Sequence, residues 1–261
     1  MHTYLYLAKA TKNPSRIFHY PPTATIGDNR RFFAAGTVMT LPLSRRWREL
    51  SILVLLMALT TPIFWLTDAD QQAAAWFYQP GTGHSAWPFG EWWLWRGLFA
   101  YTPKLLVAAA VSALLVAVGS FVVGRWQRWR RPALYILLVI AIGPGLVINL
   151  VFKDHWGRPR PLHIAEFGGT NTYIPPLQIG DTPHKSFPCG HCSIGFALFA
   201  LYFLSRRRKA FYLALTLVAA AIMAVSRMAA GGHFISDILW SGYLVFLVAW
   251  LLYYGWYVRG Q

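Results

Sequence analysis

The chain has 261 residues, of which 56% are hydrophobic and only 13% charged. A soluble domain carries about 25% charged residues, so this chain cannot clothe itself in a solvated surface, and the same figures exclude disorder. A net charge of +15 would suit nucleic acid, but the basic residues fall in short runs between apolar blocks, the pattern of loops held on one side of a bilayer.

Residues 1–44 contain no apolar run and no signal-peptide core, and they are broken by Pro14, Pro21 and Pro22. They are expected to form a poorly ordered cytoplasmic extension, or residues 1–38 to follow from a start placed too early, since Met39 stands just ahead of Arg45-Arg46-Trp47-Arg48. Residues 45–261 read as one membrane domain. Six apolar blocks, 51–66, 105–123, 133–152, 193–204, 210–225 and 238–257, approach the roughly 20 residues that cross a core of about 30 Å. Inside lipid the backbone must satisfy its own hydrogen bonds, so these are helices. The expected fold class is therefore all-α, a polytopic membrane protein of six spans.

The fourth block is short and can start near His191; Gly143-Pro144-Gly145 in the third predicts a kink. The loop 68–104 holds Trp76, Trp87, Trp92, Trp93 and Trp95, whose amphipathic rings favour the headgroup layer. A short interfacial helix beside a lipid entry path is the sharper reading of this loop. Lys104 is expected to snorkel at the start of the second span.

Arg45, Arg46 and Arg48 precede the first block; Arg125, Arg128, Arg130 and Arg131 follow the second; Arg206, Arg207, Arg208 and Lys209 follow the fourth. With Lys9, Lys12, Arg16, Arg30, Arg31 and Arg259, 17 of the 24 basic residues lie on one face. The positive-inside rule puts that face and both termini in the cytoplasm. The opposite face, the periplasmic one for a bacterial inner-membrane protein, then receives three other clusters: Lys153 to Pro161, Pro188 to His191, and Ser226-Arg227 with His233 and Asp237.

Charge is costly in an apolar chain, so three clusters meeting at one face need a purpose. Lys153, Arg158, Arg160 and Arg227, with two histidines and a carboxylate, suit a dianionic phosphate held by guanidinium groups. A helix beginning at Gly190-His191 would add free N–H groups. His233 and Asp237 are four residues apart, on one helix face, where a carboxylate fixes the imidazole tautomer and prepares a nucleophile; His191 can then protonate the leaving oxygen. No histidine or carboxylate set has metal-ligand spacing, so no cofactor is expected.

Lys153 with Arg160-Pro161 seven residues on, then Pro-x-Gly-His, then Ser-Arg-x5-His-x3-Asp, resembles the three-part signature of the type 2 phosphatidic acid phosphatase superfamily. The signature covers 153–237, and the helix layout extends the agreement from about residue 45 to the end. The resemblance implies a metal-free membrane phosphatase acting on an amphiphilic lipid phosphate. It implies that His233 forms a phosphohistidine, Asp237 orients it and His191 is the general acid. Lys153, Arg160, Gly190 and Arg227 would hold the phosphoryl oxygens, with Ser226 in support. Cys189 stands where the family usually has serine, and a thiol is the weaker donor; it is entered only as a phosphate-binding candidate.

Three substrate classes fit equally: polyprenyl diphosphates, phosphatidylglycerol phosphate or phosphatidate, and lipid A phosphates. A lipid A or polyprenyl phosphotransferase with the same nucleophile is the alternative. A remoter one is a thiol–disulfide oxidoreductase, because Cys189-Gly-His-Cys192 spells a redox tetrapeptide, although no thioredoxin-like setting and no third cysteine accompany it. The partners expected are the lipid phosphate and the bilayer, not nucleic acid; oligomeric state is unread. His155, His163 and His184 are expected to be solvated, and Arg158 to touch a headgroup.

Overall fold

An apolar stretch long enough to cross lipid must close its hydrogen bonds within itself, and the long apolar stretches described do so as helices. The computed structural model describes residues 43–81 and 86–259; most of the N-terminal extension 1–44 lies outside them. Among the described residues, five helices are long and apolar enough to cross a membrane. They are built on α1 (Leu43–Leu66), α3 (Trp93–Gly119), α4 (Gln127–Ile140), α7 (Lys209–Ala229) and α8 (Ile235–Leu252). Between α1 and α3 lies a short helix, α2 (Ala69–Ala75), and between α4 and α7 lie α5 (Gly190–Phe196) and α6 (Phe199–Leu204).

The fourth expected span is this last pair. Gly190–Leu204 is apolar but falls in the 10–17-residue class, short of the roughly 20 residues that cross lipid unaided. It is also enclosed: Phe196, Phe199, Ala200 and Phe203 are buried among side chains of α4, α7 and α8. The fold is all-helical and apolar-spanned as expected, and the described residues hold five full-length helices beside this shorter one.

Two parts of the expected layout are refined. The second span begins at Trp93 rather than residue 105, because Trp93 to Lys104, polar and aromatic in appearance, continues the same helix through Pro103. Around Gly143-Pro144-Gly145 the helix does not stop; from Ala141 to Lys153 it widens into π turns, and Asn149 Nδ2 donates to the Pro144 carbonyl at 2.7 Å. That bond gives the Pro144 carbonyl a side-chain donor within the widened turn.

The two ends of the bundle differ in chemistry. At one end the basic turns meet the aromatic tail of α8. Arg46 lies 5.1 Å over Trp250, Lys209 lies 5.9 Å over Tyr253, and Arg131 donates to the carbonyl of Tyr257 at 3.0 Å. Buried Glu49 of α1 is held there by the hydroxyls of Tyr202 and Tyr254, both at 2.8 Å. At the other end α2 and the loop 154–189 cover the mouths of α4, α5, α7 and α8. Of the outer-loop tryptophans, Trp76, Trp92 and Trp93 are exposed, as an interfacial belt requires, but Trp87 is buried against Tyr78 and Phe167.

Candidate active site

The three charged clusters arrive from four helices at the covered end. Lys153 ends the π-turn segment that continues α4, and Gly190 opens α5 behind Cys189 as its cap. Ser226 and Arg227 close α7, and His233 and Asp237 enter α8. Gly231, at φ +60°, makes the turn between α7 and α8; that left-handed conformation suits glycine.

Gly190 and Lys153 lie side by side. A methyl group built on Gly190 would stand 3.1 Å from Lys153 Nζ and 2.7 Å from Asn149 Oδ1. Electrostatic coupling joins Lys153 to Arg160 and Arg227, and each of the two histidines to Lys153 and Arg227. Lys153, Arg160 and Arg227 are all partly buried. Among the described residues none of the three has a carboxylate within ion-pair distance. The Nε–H groups of Arg160 and Arg227 are buried without an acceptor. Three partly buried cations without a counter-ion form a receptacle for an anion.

His233 is buried, with Nδ1 3.5 Å from Asp237 Oδ2. That is an ion-pair distance rather than a formed hydrogen bond, but the carboxylate still faces Nδ1 and leaves the Nε2 lone pair free. Burial pushes the imidazole well below its usual range, to about 3, against the opposing pull of Asp237. His233 is thus neutral at physiological pH. Ser226 is buried beside this shell.

His191 stacks on Phe99 of α3 with ring centroids 4.4 Å apart, and its Nε2 lies 3.3 Å from the Phe99 carbonyl oxygen. Arg227 lies 4.6 Å over the same ring. Phe99 therefore holds two of the candidate residues at once. Nothing in the sequence distinguished it from the lipid-facing aromatics around it.

Arg158 departs from expectation, and Cys189 is paired. Arg158 does not face a headgroup: its side chain is 0% exposed, and all five guanidinium donors are occupied. Nε–H donates to the Ile174 carbonyl at 2.7 Å. Nη1 donates to Ser236 Oγ at 2.8 Å and Asp237 Oδ1 at 2.5 Å. Nη2 donates to Asp70 Oδ2 at 2.9 Å and Tyr173 OH at 3.3 Å. Desolvation works against its charge, but Asp237 and Asp70 outweigh it and raise its pKa. Cys189 forms a disulfide with Cys192 and is fully buried. In this form its sulfur has no hydrogen to donate to a phosphoryl oxygen.

Asp237 is itself gripped from several sides: Oδ2 accepts from Ser186 Oγ at 2.6 Å and from the Phe234 N–H at 2.9 Å. His163 and His184, expected to be solvated, stack on each other at 3.8 Å. His163 is pushed below its usual range by desolvation, then by His184 and Arg160. Among the described residues, no group of three or more His, Cys, Asp or Glu side chains is placed to hold a metal ion.

Residues 132–261 match the PAP2 superfamily. Three curated relatives are similar, each a lipid A 4'-phosphatase. The one from Francisella tularensis subsp. novicida is 38% identical over 149 residues, 55% of this chain and 67% of the relative. The Rhizobium leguminosarum protein is 32% identical over 43% of this chain and 50% of its own length. The Rhizobium etli protein is 28% identical over 71% and 73%. No solved structure matches.

Proposed function

We propose that this chain, which belongs to the PAP2 superfamily and is a membrane phosphatase hydrolysing phosphoric esters, removes a phosphate from lipid A through a phosphohistidine at His233. The observation that carries this reading is the set of three uncompensated cations, Lys153, Arg160 and Arg227, grouped around two histidines. Such a set matches the dianionic head of a phosphomonoester. Among the three substrate classes that the sequence leaves level, the names of the relatives favour lipid A, and its 4'-phosphate in particular.

In this mechanism the cations hold the phosphoryl oxygens and offset the charge that builds on them. His233 Nε2 forms the P–N bond as the P–O bond to the sugar breaks. The Asp237 carboxylate, on the Nδ1 side, stabilises the imidazolium that results. His191, stacked on Phe99, turns from the carbonyl of that residue to protonate the leaving oxygen. A water molecule, deprotonated by the same histidine, then attacks phosphorus and releases phosphate and neutral His233. In this reading the site opens to the periplasm and both termini lie in the cytoplasm of an inner-membrane protein, the orientation that the positive-inside rule favours.

The test is phosphate release by the purified protein in detergent and EDTA from lipid A, phosphatidate, phosphatidylglycerol phosphate and a polyprenyl diphosphate. Lipid A should give the largest kcat/KM, and its 4'-phosphate should be lost first. A larger kcat/KM on any other lipid would refute the substrate assignment. Absence of free phosphate, with the phosphoryl group recovered on an added acceptor lipid, would identify a transferase instead.

A further inference from the structure

We infer that Asp70 is a positioning residue of the reaction: acting through Arg158 and Ser236, it sets the charge balance and orientation of Asp237 beneath His233. This rests on the reading of His233 as the nucleophile. Asp70 lies on α2, outside the region that matches the family, and no motif marks it.

The side chain of Asp70 is fully buried and both oxygens are occupied. Oδ1 accepts from the Ser236 N–H at 2.9 Å. Oδ2 accepts from Ser236 Oγ at 2.5 Å, Arg158 Nη2 at 2.9 Å and Tyr173 OH at 2.9 Å. Arg158 in turn donates to Asp237, whose other oxygen faces His233. A continuous path thus runs from α2 to the imidazole.

The charges give the path its purpose. Arg158 paired with Asp237 alone would form a neutral unit, and the guanidinium would oppose a cation forming on His233. Asp70 engages the other side of the same guanidinium, so the buried cluster of one cation and two carboxylates carries a net charge of −1. A surplus buried negative charge is costly for stability. It becomes useful when phosphoryl transfer to Nε2 makes His233 an imidazolium, which the surplus charge then neutralises. Asp70 also holds the main chain and hydroxyl of Ser236, in the first turn of α8 just before Asp237, and so fixes the angle from which that carboxylate meets Nδ1.

The test compares Asp70→Asn, Asp70→Glu and His233→Ala with wild type, as full-length protein in detergent, on one lipid phosphate that wild type turns over. Asp70→Asn should lower kcat about 10- to 100-fold, the range expected when an outer group that holds a site's carboxylate is removed, with KM nearly unchanged. Asp70→Glu, which keeps the charge, should recover a large part of that loss. A purely structural Asp70 predicts something else: both variants lose activity in proportion to the folded fraction, with no split between kcat and KM. That outcome, or wild-type kcat in Asp70→Asn, overturns the inference and leaves the role of His233 intact. Turnover by His233→Ala overturns both. Should Asp70→Asn fail to fold, Ser236→Ala carries the test, because it cuts the hydroxyl links to Asp70 and Arg158 without removing a charge. It should lower kcat about 3- to 10-fold at constant KM, and a wild-type kcat there is equally fatal.

Discussion

A single methyl group at Gly190 should separate activity from stability. The Cβ of Gly190→Ala would lie 2.7 Å from Asn149 Oδ1 and 3.1 Å from Lys153 Nζ, where ordinary contact begins at 3.4 Å. Asn149 must therefore move by about 0.7 Å and Lys153 by about 0.3 Å, since a contact inside the van der Waals minimum is repulsive. Both clashing atoms end side chains, so the backbone need not shift. Folding should be unaffected. The phosphoryl cradle should not escape, because displacing a positioning group by about 1 Å can cost 100-fold. We expect kcat/KM to fall on the order of 10- to 100-fold and the inhibition constant for inorganic phosphate to rise by about 10-fold, with the melting temperature held. Phosphate release and thermal unfolding in detergent read the two quantities. Gly97→Ala is the control, since a methyl there meets nothing within 4 Å. A Gly190→Ala enzyme with kcat/KM within about twofold of wild type, or one that loses activity only as it loses stability, would refute placing Gly190 in the phosphate site.

Other predictions follow from the same geometry. Because His233 stays neutral down to about 3 when folded but titrates near 6.5 when unfolded, the unfolded chain binds the extra proton between those values. Stability should fall as pH drops from about 6.5 towards 3. His233→Gln should flatten that slope in pH-dependent unfolding, and an unchanged slope would contradict the assignment. Breaking the Cys189–Cys192 bond with a reductant should leave phosphate release intact, and Cys189→Ser should remain active. Loss of turnover in both would show that the disulfide itself shapes the site, and alkylation with and without reductant reports its state. Arg158→Met leaves two buried carboxylates unpaired, which should cost about 3–5 kcal/mol. Denaturant unfolding showing a loss under about 1 kcal/mol would mean that water reaches the cluster.

What could be read from residues alone was what has a period or a spacing. Apolar blocks imposed helices, basic turns separated the two ends, and His233 and Asp237 faced one way because four residues make one helical turn. The resemblance names positions that the fold brings to one end of the bundle, and each of its three motifs is a continuous stretch of chain. What escaped depended on neighbours distant in sequence. Arg158 sits between Lys153 and Arg160 and looks like a third cation for phosphate. Only the arrival of Asp70 from 88 residues away turns it into the filled centre of a buried network. Phe99 and Asp70 belong to no pattern, one among aromatics and one in a loop of few charges. The start of α3 was misplaced because tryptophans and Lys104 lower the apolar signal without breaking a helix. Gly190–Leu204 is short, yet it needs no lipid-facing surface once other helices enclose it.

The account turns on His233, and the most direct measurement is the intermediate itself. Wild-type protein would be mixed with ³²P-labelled lipid phosphate, quenched in alkali within milliseconds and digested. The account predicts an acid-labile, alkali-stable phosphate on the peptide containing His233, formed before phosphate is released and absent from His233→Ala. Phosphate release from wild type with no labelled peptide at any time, together with turnover by His233→Ala, would contradict it.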